Sequence, residues 1–340
     1  MKLKKQFKDF YDEICIHEES EDLKEKRDIL QKDIEEKFPD EMKIHDIELK
    51  KSDIEMFDQG SYKYSTTIRS SVIDRDVAVM IPLDIEKYPD SRKIKGYLRD
   101  AVNHVAARTV KIKEPCVNVS YYENNEEWMH IDLPLYVEHN DKVYLARGRE
   151  FATQYSWEIA DPKGLNDDLC SRINKNEQLR RVIRYIKKWR NDKYKNSILD
   201  HEIPPSIGLT YLACDCFVSS TTLEGDDDLS ALQQTMSNMK NKFTLSYEDG
   251  KLVKADISRY LPVEPFTDVF QKMKDASDSY GVTFYNRIST AVQNLTDAVN
   301  VESEHDAGNY VKKVLGDEFK VPQKQTTSSS VKSKKEHSFG

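Results

Sequence analysis

The chain has 340 residues, 52 basic against 60 acidic, for a net charge of −8. That length suits about two domains. The acidic balance speaks against a protein that coats DNA or RNA, so no nucleic-acid activator is expected, though a local basic groove is compatible with it. No apolar run approaches the roughly 18 residues of a membrane span, and the N-terminal MKLKKQFKDFYDE lacks a signal-peptide core. The expected location is therefore the cytoplasm, with no membrane partner. Cys15, Cys116, Cys170, Cys214 and Cys216 are odd in number and lack zinc-finger spacing, which predicts buried thiols rather than disulfides or a metal knuckle.

In chain order, residues 18–38 read as one long charged helix. Leu23, Ile29, Leu30, Ile34 and Phe38 recur at helical spacing, and Phe38-Pro39 reads as its stop. Strand signals follow at 54–57 and 77–81, then a helix at 91–109. After Pro115 come three strand-like runs, VNVSYY, WMHIDLPLYV and KVYLARG. Helices are expected at 177–193, 205–219, 228–241, 265–277 and 283–301, with the change of character near Asp161-Pro162. The predicted architecture is α+β: a catalytic core with a long N-terminal helix over 1–165, a helical lobe over 166–322, and the active site in the cleft between them. Residues 323–340 are polar and aperiodic and read as a flexible tail.

The chemistry is concentrated in GSYKYSTTIRSSVIDRDVAVM. Asp74 and Asp76 precede a β-branched apolar run, and residues two apart on a strand point to one side. Arg75 points the other way, so two adjacent like charges repel with nothing beside them to offset it. A bound divalent cation explains the arrangement; packing does not. Asp132, flanked by Ile131 and Leu133, is either a turn-capping aspartate before Pro134 or a third ligand. Two nearby carboxylates favour the second reading, since a two-metal site needs about three oxygen-rich ligands. Gly60 lets the backbone approach a phosphate closely, and Ser61 can open a short helix, Tyr62–Thr67, whose free N–H groups would meet an anion. A Gly-Ser pair is a common turn, and its meaning here comes from its position ahead of D-x-D.

GSYKYSTTIRSSVIDRDVAV resembles the G-S…T-T-[IL]-R…D-x-D block of template-independent nucleotidyltransferases. It is most similar to the group of oligoadenylate synthase, cyclic GMP–AMP synthase and the bacterial cyclic-oligonucleotide synthases (CD-NTases) of anti-phage CBASS defence. HIDLPLYV is similar to their third-aspartate strand, and LRRVIRYIKKWRNDKYKNSILDHEIPPSIGLTYLA to their paired-helix block. These blocks span roughly residues 54–217.

The resemblance implies a polymerase-β-like lobe, with Asp74, Asp76 and Asp132 binding Mg2+ or Mn2+. It places Gly60, Ser61 and Thr67 at the phosphate turn, and Arg184, Lys187 and Ser206 at the triphosphate from the helical lobe. The implied substrates are nucleoside triphosphates, ATP and GTP foremost, and the implied product a cyclic di- or trinucleotide that acts on a downstream effector. A ubiquitin-conjugating-like partner acting at Gly340 is also implied. Ile207 departs from the pattern, standing where relatives often place a base-stacking aromatic, and no Cys/His zinc insertion is present. Leu179, Val182, Ile183, Ile186 and Trp189 form one apolar helical face, with Arg180, Arg184 and Lys187 as a basic stripe beside it. Ser206 follows Pro204-Pro205 as a helix cap. The rival activities are linear oligonucleotide synthesis and transfer to RNA ends or protein; a silent nucleotide-binding module is the non-enzymatic rival.

Overall fold

The structure, a computed structural model, describes residues 2–16, 21–69, 72–105 and 108–324. Residues 325–340, including Gly340 and the conjugation expected there, lie outside the described residues.

An unanticipated helix, α1 (Lys4–Ile14), buries Phe7, Phe10 and Ile14 along one face. The long charged helix is α2 (Glu21–Ile44), and it runs through Pro39 where a stop was expected. Proline removes one backbone donor and disfavours the helix interior. Leu30, Ile34, Phe38 and Met42 nonetheless form one buried row. Met42 lies beyond the proline, so apolar packing carries the helix across it.

The sheet comprises β1 (Glu55–Gln59), β2 (Ile73–Pro82), β3 (Arg108–Ile112), β4 (Val117–Glu123), β5 (Glu126–Leu133), β6 (Leu135–His139), β7 (Lys142–Arg147) and β8 (Ser156–Ile159). Its order is β3-β4-β5-β2-β6-β7-β8, with β1 antiparallel on β2. WMHIDLPLYV, expected as one strand, is divided at Pro134, which has no N–H for a ladder. Both halves run parallel to β2, while β5 continues to β4 and β6 to β7. Between β1 and β2 lies α3 (Gly60–Lys63), shorter and earlier than the Tyr62–Thr67 helix expected. After β2 comes α4 (Ser91–Val102), which ends well before residue 109. There Arg108 Nε donates to Val102 O at 2.7 Å, and its guanidinium pairs with Asp33 at 2.6 Å. The arginine caps the helix from the start of the next strand.

Strand alternation decides which face of β2 does what. Val77, Val79 and Ile81 enter the core built with α2 and α4, whereas Ala78 and Met80 pack with Tyr136 in a separate small cluster. Asp74 and Asp76 share the parity of Ala78 and Met80, so they project from the face opposite the α2–α4 core.

The second core is helical: α5 (Pro162–Ile173), α6 (Glu177–Tyr194), α7 (Ser206–Cys216), α8 (Asp228–Lys240), α9 (Gln271–Ala276), α10 (Asp278–Asn300) and α11 (Glu304–Leu315). Trp189, Tyr185, Phe270, Phe284 and Phe319 lie at its centre, and α1 packs there too. This half is not all helix. Hairpins pair β9 (Thr221–Thr222) with β10 (Gly225–Asp226) and β11 (Thr244–Glu248) with β12 (Lys251–Asp256). The helix expected over 265–277 is confined to α9. Asp268 Oδ1 accepts from the backbone N–H groups of Arg259 and Phe270, at 2.9 and 3.0 Å, and so stabilises a non-helical turn ahead of it. Five free thiols occur, with Cys15, Cys116 and Cys216 buried.

Gly281, on α10, lies against the backbone of β12. A Cβ there would lie 2.2 Å from Ala255 O. Because the obstacle is backbone, Gly281→Ala is expected to destabilise the fold by about 1–3 kcal/mol, the usual cost of overpacking. Chemical denaturation measures this, and an unchanged midpoint would show that α10 and β12 separate freely.

Candidate active site

Register turns D-x-D into a square of side chains. On the parallel β2–β5 pair, Asp74 lies across from His130 and Asp76 across from Asp132. Asp74, His130 and Asp132 bring ligand atoms within 4.8 Å of one another, the one such His/Cys/Asp/Glu group among the described residues. Asn118 on β4, opposite Asp132 in register, donates its amide to Asp132 Oδ1 at 2.6 Å, and Lys113 Nζ stands 3.5 Å from the same oxygen. His130 faces Asp74 Oδ1 from Nε2 and Glu127 Oε1 from Nδ1, both at 3.1 Å. Hydrogen bonding to Asp74 holds the imidazole toward its cationic form, with burial opposing. Asp132 thus joins the other aspartates and does not cap a turn.

Asp76, like Asp132, is half-buried. Burial first, then the charges of Asp74 and Asp132, push its carboxyl up to about 8, with His130 and Lys187 pulling the other way. Gly60 makes this position possible. It has φ +67°, and a Cβ there would sit 2.1 Å from Asp76 Oδ2. Only glycine supplies both the left-handed backbone and the space. The Gly-Ser turn and the D-x-D strand are therefore one structural unit.

The helical lobe meets this unit through residues 64–68. Tyr64 Oη donates to Asn166 Oδ1 on α5 at 2.9 Å, and Asn166 Nδ2 reaches Asp58 O at 3.1 Å. From α6, Lys187 Nζ donates to Thr66 Oγ1 at 2.9 Å and Thr66 O at 3.3 Å. Arg184 Nε donates to Thr67 O at 3.1 Å, and its guanidinium also bonds the Tyr11 hydroxyl. Ser61 Oγ and Thr67 Oγ1 are 3.0 Å apart. Ser61, Thr67, Asp74, Lys187 and Ser206 line one pocket, joined by Arg190 and Asn191.

Arg184, by contrast, lies behind the pocket wall and holds the loop. Arg180 turns to Glu177 at 2.6 Å, outside the site. Ser206 is the first residue of α7, whose N-cap is Pro205; it does not cap the helix as expected. Ile207 packs against the helical core instead of facing a base.

Two cations carry the electrostatics. Lys187 is buried, and burial followed by Arg184 and Arg190 lowers its ammonium to about 7. Half-buried Arg190 donates to Pro204 O and Asn191 Oδ1, both at 3.0 Å, and burial lowers its affinity for the proton. Neither pairs with a carboxylate among the described residues. Buried charge without a paired carboxylate is costly, so the pocket suits an anion. Asp74 lines the same pocket, and the carboxylate square to which it belongs offers hard oxygen donors in excess of their own charge compensation, a donor set that fits a divalent cation. Sequence reasoning missed His130, Arg190 and Asn191. His130 carried a readable signal, the same i−2 spacing to Asp132 that Asp74 has to Asp76.

A sheet carrying paired acidic strands, a Gly-Ser turn and a helical lobe supplying cations defines the polymerase-β-like nucleotidyltransferase fold. Residues 54–136 match the family described as cyclic GMP-AMP synthase DncV-like, nucleotidyltransferase domain. The cyclic GMP-AMP synthase of Escherichia albertii is 27% identical over 189 residues, covering 49% of this chain and 40% of that protein. Vibrio cholerae DncV cyclic AMP-GMP synthase, solved with nonhydrolyzable GTP, is similar in fold with TM-score 0.68 at 17% identity, over 94% of this chain and 97% of that one. Escherichia coli CdnC, solved in complex with HORMA-deltaN, gives TM-score 0.63 at 20% identity over 93% and 98%.

The Asp76 shift has a consequence for stability. Its carboxyl is raised from 3.8 to about 8 in the folded chain, so between those values the native state holds a proton that the unfolded chain has lost. Folding stability therefore falls as pH rises through this window. Asp76→Asn removes that dependence. It is expected to raise the metal-free melting temperature, by a margin that widens from pH 5 to pH 8. A margin that narrows over the same range would show that Asp76 is ionised and stabilising without metal.

Proposed function

We propose that this chain is a template-independent nucleotidyltransferase that converts nucleoside triphosphates, ATP and GTP foremost, into a cyclic di- or trinucleotide messenger in anti-phage signalling. The observation that carries the proposal is that Asp74, one corner of the carboxylate square, lines the same pocket as Lys187 and Arg190. In the reaction a ribose hydroxyl oxygen bonds to the α-phosphorus, the bond to the bridging oxygen breaks, and pyrophosphate leaves. Asp74, Asp76 and Asp132 would hold Mg2+ or Mn2+, which acidifies the hydroxyl and offsets charge on the triphosphate.

The chain's own residues supply position and proton transfer. Lys187, Arg190 and Ser206 receive the triphosphate, beside the Gly60-Ser61 turn and Thr67. Asp132, which accepts a hydrogen bond from Asn118, would take the hydroxyl proton. Cyclisation and the defence role rest on the family resemblance, as does conjugation of Gly340 to a ubiquitin-conjugating-like partner. Co-expression with such an enzyme, with and without Phe339-Gly340, tests the conjugation by the loss of a higher-mass adduct.

The decisive experiment is mass spectrometry of products from mixed nucleoside triphosphates with Mg2+ or Mn2+, after phosphatase treatment. A cyclic product survives unchanged, and a linear one loses its terminal phosphates, which would favour the linear synthase. Asp132→Asn is expected to lower turnover by at least about 100-fold, since the loss of a catalytic ligand costs several kcal/mol of barrier. Retention within about tenfold would sink the assignment.

Lys187→Ala is expected to weaken nucleotide binding by about 1.5–3 kcal/mol, the range for a lost charge-assisted bond. Lys188, which pairs with Asp192 and Glu318 at 2.7 and 2.8 Å, should tolerate alanine. Equal losses would mean that the wrong face of α6 meets the ligand.

Binding should also be linked to protons. The Lys187 ammonium sits at about 7 in the free chain, so at pH 8 it is largely neutral, and a neighbouring polyanion raises its proton affinity. Metal-free titration of ATP at pH 8 in buffers of different ionisation heat should show proton uptake. That uptake should vanish in Lys187→Met.

A further inference from the structure

His130 stands at the fourth corner of the carboxylate square and is held from both sides. Its Nδ1 lies 3.1 Å from Glu127 Oε1, and its Nε2 lies 3.1 Å from Asp74 Oδ1. Glu127 is held in turn, accepting from Ser120 Oγ at 2.9 Å. Ser120 Oγ also lies 3.1 Å from Asn118 Oδ1, and Asn118 donates to Asp132. One polar chain thus runs from Asp74 through His130, Glu127, Ser120 and Asn118 to Asp132, built entirely from residues of β2, β4 and β5.

An imidazole that donates one N–H to a carboxylate and turns its other nitrogen toward oxygen donors is how proteins orient a metal-binding histidine. Nε2 bonds Asp74 as a protonated nitrogen in the metal-free chain; once that proton is lost, Nδ1–H still donates to Glu127 and the Nε2 lone pair is free to ligate a cation. Two ligands at right angles on an ion with bonds of about 2.1 Å lie about 3 Å apart, which matches the Nε2–Asp74 separation.

We infer that His130 Nε2 ligates the same divalent ion as Asp74 and Asp132, with Glu127 as its orienting carboxylate, and that this nitrogen donor makes the site select Mn2+ over Mg2+. The inference rests on the nucleotidyltransferase reading of the aspartates and goes beyond it in adding a ligand and a selectivity. Mg2+ takes oxygen ligands and parts with water reluctantly, whereas imidazole suits the first-row transition ions. A carboxylate-only site has no means of favouring Mn2+ by donor type; a site with one imidazole has.

The test uses Mn2+ alone as the probe, on the full chain without nucleotide. Pulsed EPR of the wild-type protein is expected to show 14N coupling to the bound ion, absent in His130→Gln. Calorimetry should show Mn2+ affinity weakened about 10–100-fold in His130→Gln, with Mg2+ affinity changed far less. Glu127→Gln should keep the 14N coupling yet weaken Mn2+ binding by about tenfold, as expected of a residue outside the coordination shell. Bound Mn2+ that shows no 14N coupling but is lost in Asp132→Asn overturns the inference while leaving the nucleotidyltransferase reading intact, and His130 then serves only as a hydrogen-bond partner of Asp74. A wild-type chain that binds no Mn2+ overturns the inference, and the products formed from nucleoside triphosphates then decide the nucleotidyltransferase reading separately. The wild-type spectrum needs no substitution, so a misfolded variant does not shield the inference.

Discussion

Three carboxylates held on one face of the β2–β5 pair repel one another, and the surrounding structure is arranged around that repulsion. Strand register sets their spacing, and no side-chain choice can relax it without moving the sheet. The repulsion is met by suppression of charge on Asp76 and by cationic or donor groups at the margins: His130 beside Asp74, Lys113 and Asn118 beside Asp132. None of these neutralises the cluster fully. A cation-binding site has this character, because groups that satisfied the carboxylates completely would compete with the ion.

The opposite wall has the converse imbalance. Lys187 and Arg190 lie on one side of α6 with only neutral partners among the described residues. A helix whose other face is anchored by Trp189, Ile186 and Val182 in the helical core can keep such groups in place despite their desolvation cost. The apolar half of α6 thus supports its polar half. Asp74 and these two cations then line one pocket.

Much of this was legible in the sequence because it depends on short periods. Asp74 and Asp76 announce themselves by alternation on an apolar strand, and α6 by its apolar stripe. What was not legible depends on pairing between distant segments. His130 looks like an ordinary strand residue until register places it opposite Asp74. Arg190 shares the side of Lys187 by helical spacing, but its anchor, Pro204 O, comes from the α6–α7 connection. Pro39 reads as a stop by local propensity, and tertiary contact at Met42 overrides it. The turn before α9 likewise depends on Asp268, whose effect on the backbone of Arg259 comes from nine residues away in the chain. Ser206 lines the same pocket as Lys187, and the capping position expected of it is taken by Pro205.

The clasp between α6 and residues 64–68 has one more consequence. Lys187 spends its hydrogen bonds on Thr66, and Arg184 spends one of its own on Thr67. These two cations of α6 are therefore also struts that tie the helical lobe to the loop ahead of β2. A substitution at either position would loosen that joint as well as alter the charge beside the pocket.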